Sequence, residues 1–248
     1  MKIDSEIKSL IRSLLGDEYE KLKESILEQG IRDPLVTWNG ILLDGHHRYQ
    51  IAQEYGLEYK TVEIELPDRE AAKEWVIKNQ LGRRNLTPEE VSYYRGKLYE
   101  SRKLSHGGER KSSAQNEHLK TAEQIGKEYG VNQATVRRDA EFSVAVDKVA
   151  AKLGEDAKQA ILSGQANIPK REVETLLEIK QEAPELIEPV LQGKMTVTQA
   201  KREITHKQRI TASPLPSNKY RVIYADPPWA YNDNRSCGTD EFMRQYTA

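Results

Sequence analysis

Cysteine occurs once in these 248 residues, at Cys237, which excludes a disulfide framework and a thiolate metal cluster. Phenylalanine occurs twice and tryptophan three times, so each indole needs a reason. No apolar run approaches the length of a membrane span, and the start Met1-Lys2-Ile3-Asp4-Ser5-Glu6 is no signal peptide. The expected compartment is the cytoplasm, with no membrane partner. Excess charge is lacking too. The formal net charge is −1, so any nucleic-acid surface must be a local patch. What is present is 31% charged and 37% hydrophobic residues, a soluble, helix-rich composition with modest cores.

Residues Asp17 to Gly30 carry Tyr19, Leu22, Ile26 and Leu27 at helical spacing, with Gly30 as a left-handed cap. Pro34 to Trp38 and Ile41 to Leu43 read as a hairpin about Asn39-Gly40. The second strand ends at Asp44-Gly45-His46-His47-Arg48, ahead of a helix from Tyr49 to Tyr55. Thr61 to Leu66 alternates as a strand, and Asp68 opens the helix of Trp75 and Ile77. This order describes a compact α+β domain over residues 1–100.

Three patches in it resemble the amino-terminal domain of the ParB/sulfiredoxin-like superfamily. They are Gly30-Ile31-Arg32-Asp33-Pro34-Leu35-Val36, then Asp44-Gly45-His46-His47-Arg48-Tyr49, then Lys78-Asn79-Gln80-Leu81-Gly82-Arg83 and its continuation to Glu90. In partition proteins these boxes bind a cytidine nucleotide. The resemblance therefore marks Gly45, His46, His47, Arg48, Asn79 and Arg83 as a nucleotide or phosphate site. Amides, helix dipole and guanidinium converge at such a helix start. Two departures weaken the match. His46 stands where an acidic residue is usual, and Lys78 where a glutamate is, so a metal-holding carboxylate is missing. No metal is expected, since adjacent histidines on an extended segment diverge. The sulfiredoxin reaction is disfavoured because the region has no cysteine. The plain alternative is a solvated loop whose Arg48 pairs with a carboxylate or phosphate.

Thr87-Pro88 caps a helix through Val91, Tyr94, Leu98 and Tyr99, and Ser105 to Asn116 reads as a polar mobile loop. Residues 101–145 then hold a helix-turn-helix pattern. Gly126 allows a close helix crossing, Gly130 takes the turn, and Ile125, Val131 and Val136 fill the small core. Asn132 caps a second helix carrying Gln133, Thr135, Arg137 and Arg138 outward, donors suited to base edges and phosphates. From Arg102 to Arg138 eight Lys/Arg face four Glu, a local charge of +4. Double-stranded DNA is the expected partner, and an ordinary helical hairpin with a basic face is the plain alternative.

Residues 146–206 form a helical module with a weak repeat: Ile161-Leu162-x-Gly164 and Ile168 recur as Val190-Leu191-x-Gly193 and Val197. Residues 207–219 read as a linker. Tyr220 to Ala225 then reads as a buried strand, which Asp226-Pro227-Pro228-Trp229 terminates. A carboxylate, a rigid turn and an indole are presented together where a strand ends, although the prolines could simply stop a strand whose tryptophan caps a core.

Val222 to Trp229 resembles the catalytic motif of adenine methyltransferases of the MT-A seventy family. That resemblance implies that Asp226 and the Pro227 carbonyl accept from the adenine amino group, that Trp229 stacks on the base and that Pro228 helps fix the spacing. It also implies S-adenosylmethionine as cofactor. The glycine-rich turn that would hold it does not lie between Lys219 and Ala248. We therefore expect residues 220–248 to be the start of an incomplete α/β methyltransferase domain in a longer enzyme. Two functions follow. One is the DNA-binding front of an adenine-specific DNA methyltransferase; the other is a non-enzymatic ParB-like regulator or partition factor. A homodimer is compatible with both. RNA is open on the catalytic motif alone, but a helix-turn-helix docks on duplex DNA.

Overall fold

The computed structural model describes residues 1–14, 16–106 and 114–211, and within it residues 1–209 form one compact unit. The architecture is a mostly helical α+β fold around a small mixed sheet of three strands. A short helix α1 (Ser5–Ser9), capped by the Asp4 carboxylate, and helix α2 (Gly16–Gln29) come first. Strands β1 (Leu35–Trp38) and β2 (Ile41–Asp44) form the expected hairpin. Asn39 and Gly40 both take positive φ, 46° and 74°, as a tight hairpin turn requires. Helix α3 (His46–Tyr55) leads to β3 (Thr61–Glu63), which pairs parallel to β1 and gives the order β2-β1-β3. The Trp38 indole N–H donates to the Leu66 carbonyl at 3.0 Å, which accounts for this tryptophan.

Helix α4 (Arg69–Leu81) is capped by Asp68, and α5 (Pro88–His106) opens with a reciprocal capping box between Thr87 and Glu90. Helices α6 (Ala114–Glu128) and α7 (Gln133–Leu153) follow, then α8 (Glu155–Leu162). After a 3-10 turn at Lys170–Glu172 come α9 (Thr175–Glu182), α10 (Ile187–Leu191) and α11 (Val197–Thr211). One apolar cluster runs from Ile7 through Val76, Tyr94, Leu98, Val136 and Val146 to Leu176 and Val197. Its centre is the α5–α7 packing. Gly96 makes that packing possible, because a Cβ there would lie 2.1 Å from the Asp139 carbonyl oxygen.

Several boundaries differ from the sequence reading, each for a physical reason. Leu27 is exposed, so the buried stripe of α2 is narrower than its apolar residues suggest. Helix α3 begins at His46, not Tyr49, because Gly45 adopts φ 93° and turns the chain directly into a helix. β3 stops at Glu63, and Ile64 adds one further bond to Thr37 before Pro67 ends the extended run. The expected loop from Ser105 to Asn116 is helical at both ends, as α5 reaches His106 and α6 begins at Ala114. In the repeat, Gly164 and Gly193 both take positive φ, 77° and 69°, as helix-end glycines do. Asp226, Pro227, Pro228 and Trp229 lie outside the described residues.

Candidate functional site

The end of α6 and the start of α7 form a tight corner. Its turn is closed by the Val131 N–H donating to the Gly126 carbonyl at 2.8 Å. A Cβ on Gly126 would meet the Val131 carbonyl oxygen at 2.6 Å, so the second glycine-dependent approach is helix to turn. Gly130 sits at φ 66°, and the Asn132 side chain accepts from the Ala134 N–H at 2.8 Å, capping α7. Ile125 and Val136 are fully buried beneath the corner, with Val131 partly buried beside them. Gln133, Arg137 and Arg138 are exposed and Thr135 is half-buried. Neither arginine makes an ion pair among the described residues, which leaves both guanidinium groups available.

Directly after Arg138 comes Asp139, which is buried and holds α7 in place. Its carboxylate accepts from Arg95 on α5 at 2.6 Å and lies 3.6 Å from the Lys170 ammonium. Lys170 also donates to the Ser92 hydroxyl and lies over the Phe142 ring. Neither Arg95 nor Asp139 stands out in sequence, since an arginine and an aspartate 44 residues apart carry no local pattern.

A second site lies at the start of α3. A cleft of about 380 Å³ brings together Gly45, His46, His47, Arg48 and Arg83, and Asn79 is not among its lining residues. Asn79 is half-buried on α4, just before that helix ends. Arg48 donates to the Asp44 carboxylate at 2.7 Å and to the Asp33 carbonyl at 2.9 Å, and Arg83 reaches the other Asp44 oxygen at 3.4 Å. Asp44 therefore sits between two guanidinium groups and offsets much of their charge. A Cβ on Gly45 would lie 2.5 Å from Leu35 Cδ2 and 3.2 Å from the Arg48 guanidinium, so only glycine lets the backbone approach here.

His46 is buried, and among the described residues neither of its ring nitrogens has a hydrogen-bond partner. It lines both this cleft and a neighbouring one of about 360 Å³ against Lys8, Arg12 and Gln50. Burial holds its pKa down at about 4, with the nearby Asp44 charge pulling the other way. His47 is shifted down too, by burial and by Arg83, and meets Tyr19 edge-on with ring centroids 6.4 Å apart. Both imidazoles are thus held neutral, able to offer one N–H and one lone pair each. No group of three or more metal-ligating side chains assembles among the described residues.

No family model and no curated protein matches the chain. Among the solved structures similar to it are two of one kind. One is a pNOB8-like ParB N-domain in a C2221 crystal form, 16% identical, with 84% of this chain and 93% of that chain covered and a TM-score of 0.48. The other, a pNOB8-like ParB N-domain, is also 16% identical, with 86% and 93% covered and a TM-score of 0.45. At that level of superposition the likeness assigns no residue a role.

Proposed function

We propose that this chain is a ParB-like module that binds double-stranded DNA, acting as a transcription regulator or partition factor. The observation that carries the reading is the start of α7. There a capped helix projects Gln133, Arg137 and Arg138 into solvent with no ion pairs among the described residues, while Asp139 fixes the helix from behind. Gln133 and Thr135 suit base edges in the major groove, and the arginines suit guanine edges or phosphates. The test is binding of the full chain to duplex DNA by fluorescence anisotropy. Arg137→Ala with Arg138→Ala should weaken binding at least tenfold at low salt and flatten its salt dependence. Wild-type affinity and slope in that variant would remove the reading.

Asp226-Pro227-Pro228-Trp229 supports a second reading, in which this module targets an adenine-specific DNA methyltransferase using S-adenosylmethionine. Asp226 and the Pro227 carbonyl would then hold the adenine amino group and Trp229 the base face. Methyl transfer to adenine in duplex DNA by the full-length reading frame, lost in Asp226→Ala, is the outcome that reading requires. Undiminished transfer in that variant would remove the role given to Asp226.

A nucleotide phosphate at the start of α3 belongs to the same proposal. Its support is the glycine-only approach at Gly45, the paired Arg48 and Arg83, and His46, whose ring nitrogens have no partner among the described residues. An incoming phosphate has to compete with Asp44 for both arginines. Calorimetric titration with cytidine triphosphate should give heat that Arg48→Ala abolishes; no heat with the wild-type chain would count against the site.

A further inference from the structure

A groove of about 580 Å³ lies between α11 and the start of α9. Along α11 it is lined by Thr198, Lys201, Arg202, Thr205 and His206, at i, i+3, i+4, i+7 and i+8 spacings that fall on one helix face, with Thr175 also lining it. Two carboxylates stand near, and both are engaged: Lys201 pairs with Glu178 at 3.1 Å, and Glu172, which also lines the groove, lies 3.6 Å from Arg171. Arg202 and His206 have no hydrogen-bond or ion-pair partner among the described residues. A free guanidinium and an imidazole among threonine hydroxyls make a donor set suited to phosphate oxygens.

The groove adjoins the face that presents α7. A trough of about 480 Å³ between α5 and α7 is lined by Arg137, Lys103 and Lys148 and by the carboxylates of Glu100, Glu141 and Glu174. The next residue, Thr175, lines the α9–α11 groove. Lys148 and Glu174 join the two troughs through a 2.7 Å ion pair. Arg137 and Lys148 are eleven residues apart on one helix. At the helical rise that separation is about 16 Å, or about five base-pair steps along B-form DNA.

We propose that the α9–α11 groove takes a backbone phosphate of the same duplex, at least about five base pairs beyond the step under the start of α7, since the groove begins at Thr175, next to the partner of Lys148. Arg202 is its principal contact, assisted by Thr198 and Thr205. This inference rests on the DNA-binding reading above. It gives the helical segment after α7 a part in recognition, as a backbone contact that lengthens the footprint without reading sequence.

The test measures anisotropy of the full chain on random-sequence duplexes of about 30 and about 5 base pairs across a salt series, the shorter one closed by a hairpin loop and spanned by the α6–α7 corner alone. Arg202→Ala should lower the salt slope by about 0.9 on the long duplex and leave the short one unchanged, with Arg202→Lys restoring most of the loss. Lys207→Ala, on another face of α11 where it pairs with Glu185, should match wild type on both. A wild-type slope for Arg202→Ala on the long duplex, or an equal fall on both lengths, overturns the proposal if Arg137→Ala with Arg138→Ala still loses slope. If that double variant keeps its slope, the DNA-binding reading itself fails and takes this contact with it.

Discussion

Gly96 offers the most direct test of the packing that holds the α6–α7 corner in place. It lies in the middle of α5, where exposure to solvent alone would make alanine the better residue by roughly 1 kcal/mol. Its surroundings point the other way. A Cβ at that position would stand 2.1 Å from the Asp139 carbonyl oxygen, 2.6 Å from its carbon and 2.8 Å from the Ser143 hydroxyl. Ordinary carbon–oxygen contacts lie near roughly 3.3 Å, so α5 and α7 would have to separate by about an ångström. The backbone of a packed helix cannot make that adjustment as a side-chain tip could. Overpacking of this kind costs roughly 1–3 kcal/mol. The same displacement would stretch the 2.6 Å bond from Arg95 to Asp139, whose partners are both buried. Partial loss of that pair adds to the cost, since breaking a buried ion pair completely is worth about 3–5 kcal/mol.

Set against the propensity gain, Gly96→Ala is expected to destabilise the chain by roughly 2–4 kcal/mol, a large share of the stability of a typical domain. Urea unfolding followed by far-ultraviolet circular dichroism measures it, with Gly16→Ala as the control because nothing stands within 4 Å of a Cβ there. The midpoint for Gly96→Ala should fall with an unchanged m-value. A rise in stability of about 1 kcal/mol would show that helix propensity alone governs the position, and the close α5–α7 crossing would have to be abandoned.

Stability should also depend on pH through His46. Its imidazole is held neutral in the fold with a pKa of about 4, whereas the unfolded chain takes up a proton near 6.5. The contribution is therefore intact above pH 6.5 and lost as pH falls toward 4, by roughly 3 kcal/mol in total. His46→Gln should flatten that part of the unfolding profile, and an unchanged pH slope in the variant would refute the assignment. Asp139→Ala leaves Arg95 buried without its partner and is expected to cost about 3–5 kcal/mol, measured by denaturant titration. Asn132→Ala removes the α7 cap and should cost about 1 kcal/mol, with earlier amide exchange at Ala134 than elsewhere in the helix. Gly126→Ala should lower both stability and duplex affinity, because the added carbon collides with the turn that sets the helix angle.

The corner of α6 and α7 was legible in sequence because each of its requirements is local. A cap side chain, a left-handed glycine and a small residue at the crossing all fall within seven residues, Gly126 to Asn132. The Asn39-Gly40 hairpin was legible for the same reason. The start of α3 was not, since His46 and His47 resemble loop residues and no side chain caps the helix. What starts it is the backbone of Gly45 pressed against Leu35, a contact between two segments. Gly96 reads in sequence only as a weak point in a helix, and its purpose is visible once the Asp139 carbonyl stands opposite. The burial of His46 was likewise unreadable, because a histidine between polar neighbours gives no apolar signal.

Asp139 connects these observations. It stands one residue after Arg138 and two after Arg137, so the exposed arginines and the buried carboxylate occupy different faces of the same turn of α7. Through Arg95 the carboxylate ties α7 to α5, and through Lys170 it ties both to the turn before α9. A helix held this way from behind cannot rotate about its axis without breaking a buried ion pair. Under the DNA-binding reading proposed above, its donors meet the duplex already oriented, and little ordering cost is left for the binding step. The helical segment after residue 146, whose sequence reads only as a repeat, takes part in that arrangement through Lys170. The geometry of the α6–α7 corner is thus set by residues well outside that motif. Changes at Lys170 or Arg95 should act on affinity by loosening α7, leaving the identity of the contacted bases to Gln133 and Thr135.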